Sequence, residues 1–257
     1  MLEISNLAKQ FGTMQALDSV SIQVPPGQFV AVVGCSGAGK STLLRLINRL
    51  VEPTSGAISF DGQNVSLLKG HQLREWRSRA AMIFQGYNLS PRLDVLTNVL
   101  VGASTSIPQA RRLLRLYTKA ERLRAAAVLD DLGLVEKAFE RAERLSGGQQ
   151  QRVAIARALM QKPKLILADE PIASLDPLNA RVVMETLRRI NVELGITVLC
   201  NLHSIETARM YASRAIGLRQ GRLVFDGPIS ALTDEATSEI YGGTPAEAES
   251  DALSEAA

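Results

Sequence analysis

The run Gly34-Cys35-Ser36-Gly37-Ala38-Gly39-Lys40-Ser41-Thr42 carries the clearest chemistry in the chain, because it fits the spacing G-x-x-x-x-G-K-[ST]. Glycines let successive backbone N–H groups turn inward without a Cβ in the way. The first turn of a following helix adds unpaired N–H groups and the positive end of its dipole. Anionic oxygens fill such a nest. Lys40 would then place a point charge on the outer phosphates of a nucleotide, and the Ser41 hydroxyl would ligate Mg²⁺. Cys35 stands at a variable position, so its backbone belongs to the cradle and its side chain receives no role.

Two acidic residues extend this chemistry. Leu165-Ile166-Leu167-Ala168 leads directly to Asp169-Glu170, which puts two carboxylates at the end of a buried strand, and a parallel sheet would set the glycine loop beside that strand. Asp169 would hold the cation, through water, while Glu170 would polarise an attacking water as general base. A second glycine-preceded helix start, Leu145-Ser146-Gly147-Gly148-Gln149, is a further candidate for binding an anion.

The elements around these residues must position them. Phe29 to Val33 is an apolar run of strand length before the loop, and from Ser41 to Ile47 apolar residues recur at helical spacing after it. The opening residues to about Val24 read as an antiparallel meander leading into Phe29–Val33, with Phe11-Gly12 at a turn where the ring either joins the core or faces a ligand. Short strands are expected at Ala57–Phe60, Ala80–Phe84, Lys164–Ala168 and Ile196–Cys200, and a hairpin at Arg214–Phe225 around Gln220-Gly221. A helix is expected from about Leu68 to Arg79. Residues from about 88 to 160 turn rich in Leu, Ala and Arg and suggest an inserted helical subdomain. Its basic stretch Arg111, Arg112, Arg115, Lys119, Arg122 and Arg124 is either a solvated face or one near anionic headgroups. Asp176-Pro177 supplies an N-cap and first-turn proline to a helix whose Val183, Leu187, Ile190 and Leu194 form one apolar face, and His203 lies just past the following strand. Residues 1–243 read as one domain, and 244–257, acidic and short of large apolar side chains, as a disordered tail.

Composition excludes several classes. With 257 residues, 46% hydrophobic and 21% charged, the chain can bury a core without staples. Cys35 and Cys200 make no disulfide framework and suit a reducing cytosol. A net charge of +3 and 4% aromatic residues do not favour nucleic acid. Met1-Leu2-Glu3-Ile4 lacks the basic and apolar regions of a signal peptide. Ser19 to Gly39 is uncharged, yet Pro25-Pro26-Gly27 breaks it into two strands rather than a membrane span.

The run Leu145-Ser146-Gly147-Gly148-Gln149-Gln150-Gln151-Arg152 resembles the signature motif of ATP-binding-cassette ATPases, in company with the glycine loop, Asp169-Glu170, Ser174-Leu175-Asp176 and His203. The resemblance covers Leu2 to about Gly242. It implies an α/β P-loop ABC ATPase fold, with a mixed-sheet core, an antiparallel β-subdomain and an inserted α-helical subdomain. It also implies a head-to-tail homodimer in which each ATP lies between the glycine loop of one subunit and Ser146 and Gly148 of the other, so that these reach the γ-phosphate in trans. By the same resemblance Phe11 stacks on adenine, Gln85 touches Mg²⁺ and the water where a membrane partner docks, Asp176 links the two sites, and His203 contacts the γ-phosphate. Finer resemblance, carried by Ser41–Asn48, Glu52–Gly56, Asn88-Leu89, Arg92–Leu100, Ile166–Pro171 and Leu187–Asn191, is to the ATPase subunits of phosphonate importers. It implies a peripheral protein on the cytoplasmic face of the inner membrane, transmembrane permease subunits and a periplasmic solute-binding protein. Phosphite, hypophosphite or another small solute is the alternative cargo, and lipoprotein release, cell division or soluble regulation the alternative role.

Overall fold

Phe29–Val33 (β3) is buried at every position, as a strand covered on both faces must be. The computed structural model describes residues 1–105, 107–108, 111 and 114–242. In it β3 lies inside a six-stranded sheet with Ala80–Ile83 (β6), Leu165–Ala168 (β7), Thr197–Asn201 (β8), Arg214–Arg219 (β9) and Arg222–Pro228 (β10), in the order β10-β9-β3-β8-β7-β6. Every neighbour pair is parallel except the hairpin of β9 and β10. A second, antiparallel sheet takes Leu2–Phe11 (β1), Met14–Val24 (β2), Ser55–Phe60 (β4) and Gln63–Asn64 (β5), in the order β2-β1-β4-β5.

Strand periodicity divides the larger sheet between two cores. Phe29, Ala31 and Val33, with Ile83, Ile166, Ala168 and Cys200, face one of them. That core is closed by helices at Val95–Val101 (α3), Lys119–Asp131 (α4), Gly147–Leu159 (α5), Pro177–Leu194 (α6) and Ile205–Tyr211 (α7), through Val99, Leu129, Ile155, Leu187 and Ala208 among others. Val30 and Val32, with Met82, Leu165, Leu167 and Leu199, face the other, shared with the antiparallel sheet and with Lys40–Ile47 (α1) and Gly70–Arg79 (α2). Trp76 of α2 is fully buried there, its indole N–H donating to the Ile47 carbonyl at 2.9 Å and its ring 5.1 Å from that of Phe60. Each such aliphatic or aromatic side chain contributes about 1.5–3 kcal/mol by leaving water.

The structure corrects three expectations. The meander does not continue into β3: β1 takes β4 as its second partner, and the Pro25-Pro26-Gly27 turn sends the chain into the other sheet. β7 does not lie beside β3, because β8 pairs with both and separates them. Leu194 is 61% exposed, since α6 ends there at left-handed Gly195 (φ 64) and its last turn has left the core. Arg112 and the segment 244–257 lie outside the described residues. Among the described residues no helix is long and apolar enough to cross a membrane.

Candidate functional site

All the parallel strands deliver their carboxyl ends to one edge of the sheet, where ligands of such sheets bind. Register places Val32 beside Asn201, and Ala168 beside Cys200, so the glycine loop, Asp169-Glu170 and His203 leave the sheet together. The loop owes its shape to its glycines. A Cβ on Gly34 (φ 145) would collide with the Leu218 carbonyl, and one on Gly39 (φ 101) would lie 2.5 Å from the Ala16 carbonyl. The turn of β9 and β10 secures the loop from outside, Gly221 N–H donating to the Ala38 carbonyl at 3.1 Å. Cys35, Ser36 and Gly37 are exposed at the mouth, while Lys40 is buried and donates to the carbonyls of Gly34 at 2.6 Å and Cys35 at 3.0 Å. The lysine thus already sits inside the nest that the backbone forms. Thr42 follows Ser41 in the first turn of α1.

Beyond the loop, the hydroxyl of Ser41 donates to Asp169 Oδ1 at 2.7 Å. Asp169 is 4% exposed, and its other oxygen accepts from Arg45 Nη2 at 3.4 Å. These hard oxygen atoms suit Mg²⁺, which takes one or two protein ligands and completes its shell with phosphate and water. A buried acceptor without a partner among the described residues, Asn201 Oδ1, lies next to them on a side chain bonded to Asp169, so the site has polar capacity left for a hydrated cation.

Glu170 has a left-handed backbone (φ 50), a conformation that costs a residue of this kind about 1–3 kcal/mol and collects at functional sites. Its carboxylate meets His203 Nε2 at 2.8 Å, and the Glu170 side chain is only 17% exposed. The hydrogen bond from His203 holds the Glu170 carboxyl below its ordinary value of 4.5 against the opposing cost of burial, with smaller pulls from the charges of Lys40 and Arg45. A carboxylate kept ionised, next to an imidazole and facing a phosphate nest, can accept a proton from water.

The remaining predicted residues fall into separate groups. Gln85 is exposed just past β6, in a loop where Tyr87 (φ 55) and Asn88 (φ 51) both turn left-handed and Arg157 of α5 reaches the carbonyls of both. Ser146 caps α5 reciprocally with Gln149, the Gln149 N–H to Ser146 Oγ at 3.3 Å and the Ser146 N–H to Gln149 Oε1 at 3.0 Å. A Cβ on Gly147 would meet Tyr87 Oη, and one on buried Gly148 would meet Asn179, which Asp176 binds as N-cap of α6. Ser146–Gln149 and Asp176 therefore pack with each other, whereas Ser41, Asp169, Glu170 and His203 form their own cluster. Phe11 is 43% exposed at the end of β1, with Lys9 Nζ 4.7 Å from its ring centroid, so the open question at this turn resolves towards solvent.

Three residues of the site escaped the sequence reading: Arg45, Asn201 and Tyr241. Tyr241 ends the helix Asp234–Tyr241 (α8); its hydroxyl donates to the His203 carbonyl at 3.1 Å and receives a backbone hydrogen bond from Gly34, while its carbonyl accepts from Cys35 Sγ at 3.4 Å. Burial pushes its phenol up to about 12. An apolar strand ending in an asparagine, Val198-Leu199-Cys200-Asn201, was the one local signal available for Asn201.

A phosphate nest joined to a strand-end carboxylate pair and a histidine defines a P-loop nucleotidase, and a separate serine-glycine helix start defines the cassette type among these. The family profile described as ABC transporter matches residues 17–173. The chain is 55% identical over 253 residues to a Phosphonates import ATP-binding protein of Bradyrhizobium diazoefficiens, covering 95% of this chain and 94% of that one. It is 57% identical over 239 residues to the protein of the same name from Agrobacterium fabrum, covering 93% and 84%. Among solved structures, a dimeric ATP-binding cassette in a post-hydrolysis state with ADP and Pi superposes with a TM-score of 0.77 at 35% identity, covering 89% of this chain and 99% of that one. An ADP-state cassette of an ABC transporter gives a TM-score of 0.82 at 29% identity, covering 95% and 98%. The chain belongs to the ABC transporter family, among its phosphonates import ATP-binding proteins.

Proposed function

We propose that this protein is the ATP-hydrolysing subunit of an importer that takes up a phosphonate or a related phosphorus oxyanion. The observation that carries the ATPase reading is the convergence of Ser41 on Asp169 at 2.7 Å and of His203 on Glu170 at 2.8 Å, at the mouth of the glycine loop. The cargo is supported by the 55–57% identity to phosphonates import proteins.

In this reading the N–H groups of 34–42 and Lys40 bind the phosphates, and Phe11 stacks on the adenine. Ser41, Asp169 and Gln85 would hold Mg²⁺, and the cation would supply positive charge beside the transferred phosphoryl group. Glu170 takes a proton from the attacking water, and His203 senses the terminal phosphate. As the cluster of Ser146, Gly147, Gly148, Gln149 and Asp176 is separate from the loop in one chain, it serves the loop of a second copy in a head-to-tail dimer. ATP closes that dimer and hydrolysis reopens it. Residues 1–243 act as one nucleotide-binding domain with a helical part at about 88–160. A cavity of about 360 Å³ beside the Gln85 loop, lined by Arg74, Arg77, Phe84, Asn88, Val101 and Arg157, is where a transmembrane permease would rest, holding the subunit at the cytoplasmic face of the inner membrane. A periplasmic binding protein would deliver the solute.

Uptake by proteoliposomes holding this subunit, its permease and its binding protein tests the proposal. Methylphosphonate should accumulate only with ATP on the cassette side. Accumulation of phosphite alone would reassign the cargo, and ATP hydrolysis indifferent to any permease would refute the importer reading.

A further inference from the structure

Asn201 closes β8 between the strand that leads to the glycine loop and the strand that leads to Asp169. It is fully buried after the apolar run Val198-Leu199-Cys200, where a leucine, branched at the same atom and with as many heavy atoms, would carry no polar atoms to satisfy. Its Nδ2 donates to Asp169 Oδ1 at 2.7 Å, the same oxygen that accepts from Ser41 Oγ at 2.7 Å. Reversing the amide would set two oxygens against each other, so the nitrogen faces the carboxylate. Its Oδ1 is buried and has no hydrogen-bond partner among the described residues.

These contacts have a chemical consequence for a cation. Because Ser41 gives its hydrogen to Asp169, its lone pairs are left to face a metal. That arrangement lasts only while Asp169 Oδ1 stays in place. The bond from Asn201 fixes that oxygen from the opposite element, and outer partners of this kind tune metal sites strongly. The unpartnered Oδ1 is an acceptor for the hydrogens of water, of which Mg²⁺ keeps several.

We propose that Asn201 is a positioning residue for the divalent cation: its Nδ2 orients Asp169 toward Ser41, and its Oδ1 takes a hydrogen from the cation's hydration shell. The inference rests on the reading of Ser41 and Asp169 as cation-holding oxygens.

The test compares wild type with Asn201→Leu and Asn201→Ala in two titrations: binding of a fluorescent ATP analogue in EDTA, and binding of Mn²⁺ in the presence of a saturating non-hydrolysable ATP analogue, read as loss of the free-ion paramagnetic resonance signal. Both variants should weaken Mn²⁺ about 10-fold or more while leaving metal-free nucleotide affinity within about twofold. Mn²⁺ affinity within about twofold of wild type, with nucleotide binding intact, would overturn the inference while leaving the reading of Ser41 and Asp169 standing. Loss of metal-free nucleotide binding in both variants would also overturn it, by marking Asn201 as a residue that only holds the fold. A wild type that binds no Mn²⁺ with nucleotide would instead refute the cation reading itself, and the inference with it.

Discussion

Replacing Glu170 with Gln keeps the size of the side chain and removes the charge. In the ground state this converts an ionic hydrogen bond at 2.8 Å into a neutral one, a loss on the order of 1 kcal/mol. Burial offsets part of that loss, because a neutral amide costs less to hold at 17% exposure than a carboxylate does. The effect on stability is therefore small. The effect on chemistry is not: removing a positioned general base should lower turnover by about 10²–10⁴, or roughly 3–5 kcal/mol of barrier. Phosphate release measured at saturating ATP gives the rate, and calorimetry with ATP should find affinity intact. Because His203 touches the same carboxylate, His203→Ala combined with Glu170→Gln should cost much less than the product of the two single effects. Turnover near the wild-type rate in Glu170→Gln, or full additivity with His203→Ala, would refute this reasoning.

Other consequences are more local. Lys40→Ala should abolish nucleotide affinity in calorimetry and also lower the thermal midpoint without ligand, since the ammonium ties the carbonyls of Gly34 and Cys35 together. Glu170, held below 4.5, contributes stability that is fully present above that pH and is lost as pH falls through its depressed folded value. Denaturant titrations should therefore show a shallower acid limb in Glu170→Gln than in wild type. Tyr241→Phe removes one hydrogen bond to the His203 loop, about 1 kcal/mol, and should slow turnover by up to about fivefold with little change in KM for ATP. An unchanged rate would show that α8 does not steady His203. Ser146→Ala loses the cap of α5 and should cost about 1 kcal/mol of stability in urea melts.

The parts of this molecule that depend on neighbours in sequence were legible before the fold was known. Gly34 to Ser41 declares its strand, turn and helix by spacing alone, and Asp176-Pro177 forms the cap its residue types require. The β-hairpin at Gln220-Gly221 follows for the same reason. Features that depend on tertiary pairing stayed hidden. Nothing near Asp169 in the chain says that β8 inserts between its strand and β3, and so nothing marked Asn201, 32 residues away, as its partner. Tyr241 meets His203 only because α8 returns across the sheet edge, with Ile240 packed over Gly217. The left-handed backbone of Glu170 is equally silent in sequence, since glutamate has no preference for it and only the surrounding contacts impose it.

Completion of the loop at 34–42 by Ser146 and Gly148 of a second copy is tested most directly by mixing two inactive variants, Lys40→Ala and Ser146→Arg. Each alone spoils both sites of its own dimer. In a mixed dimer, the intact loop of one chain faces the intact serine-glycine turn of the other. Turnover should therefore reappear on mixing at roughly a quarter of the wild-type level, given random pairing and one sound site in each mixed dimer. A mixture that stays as inactive as its components would contradict the shared site.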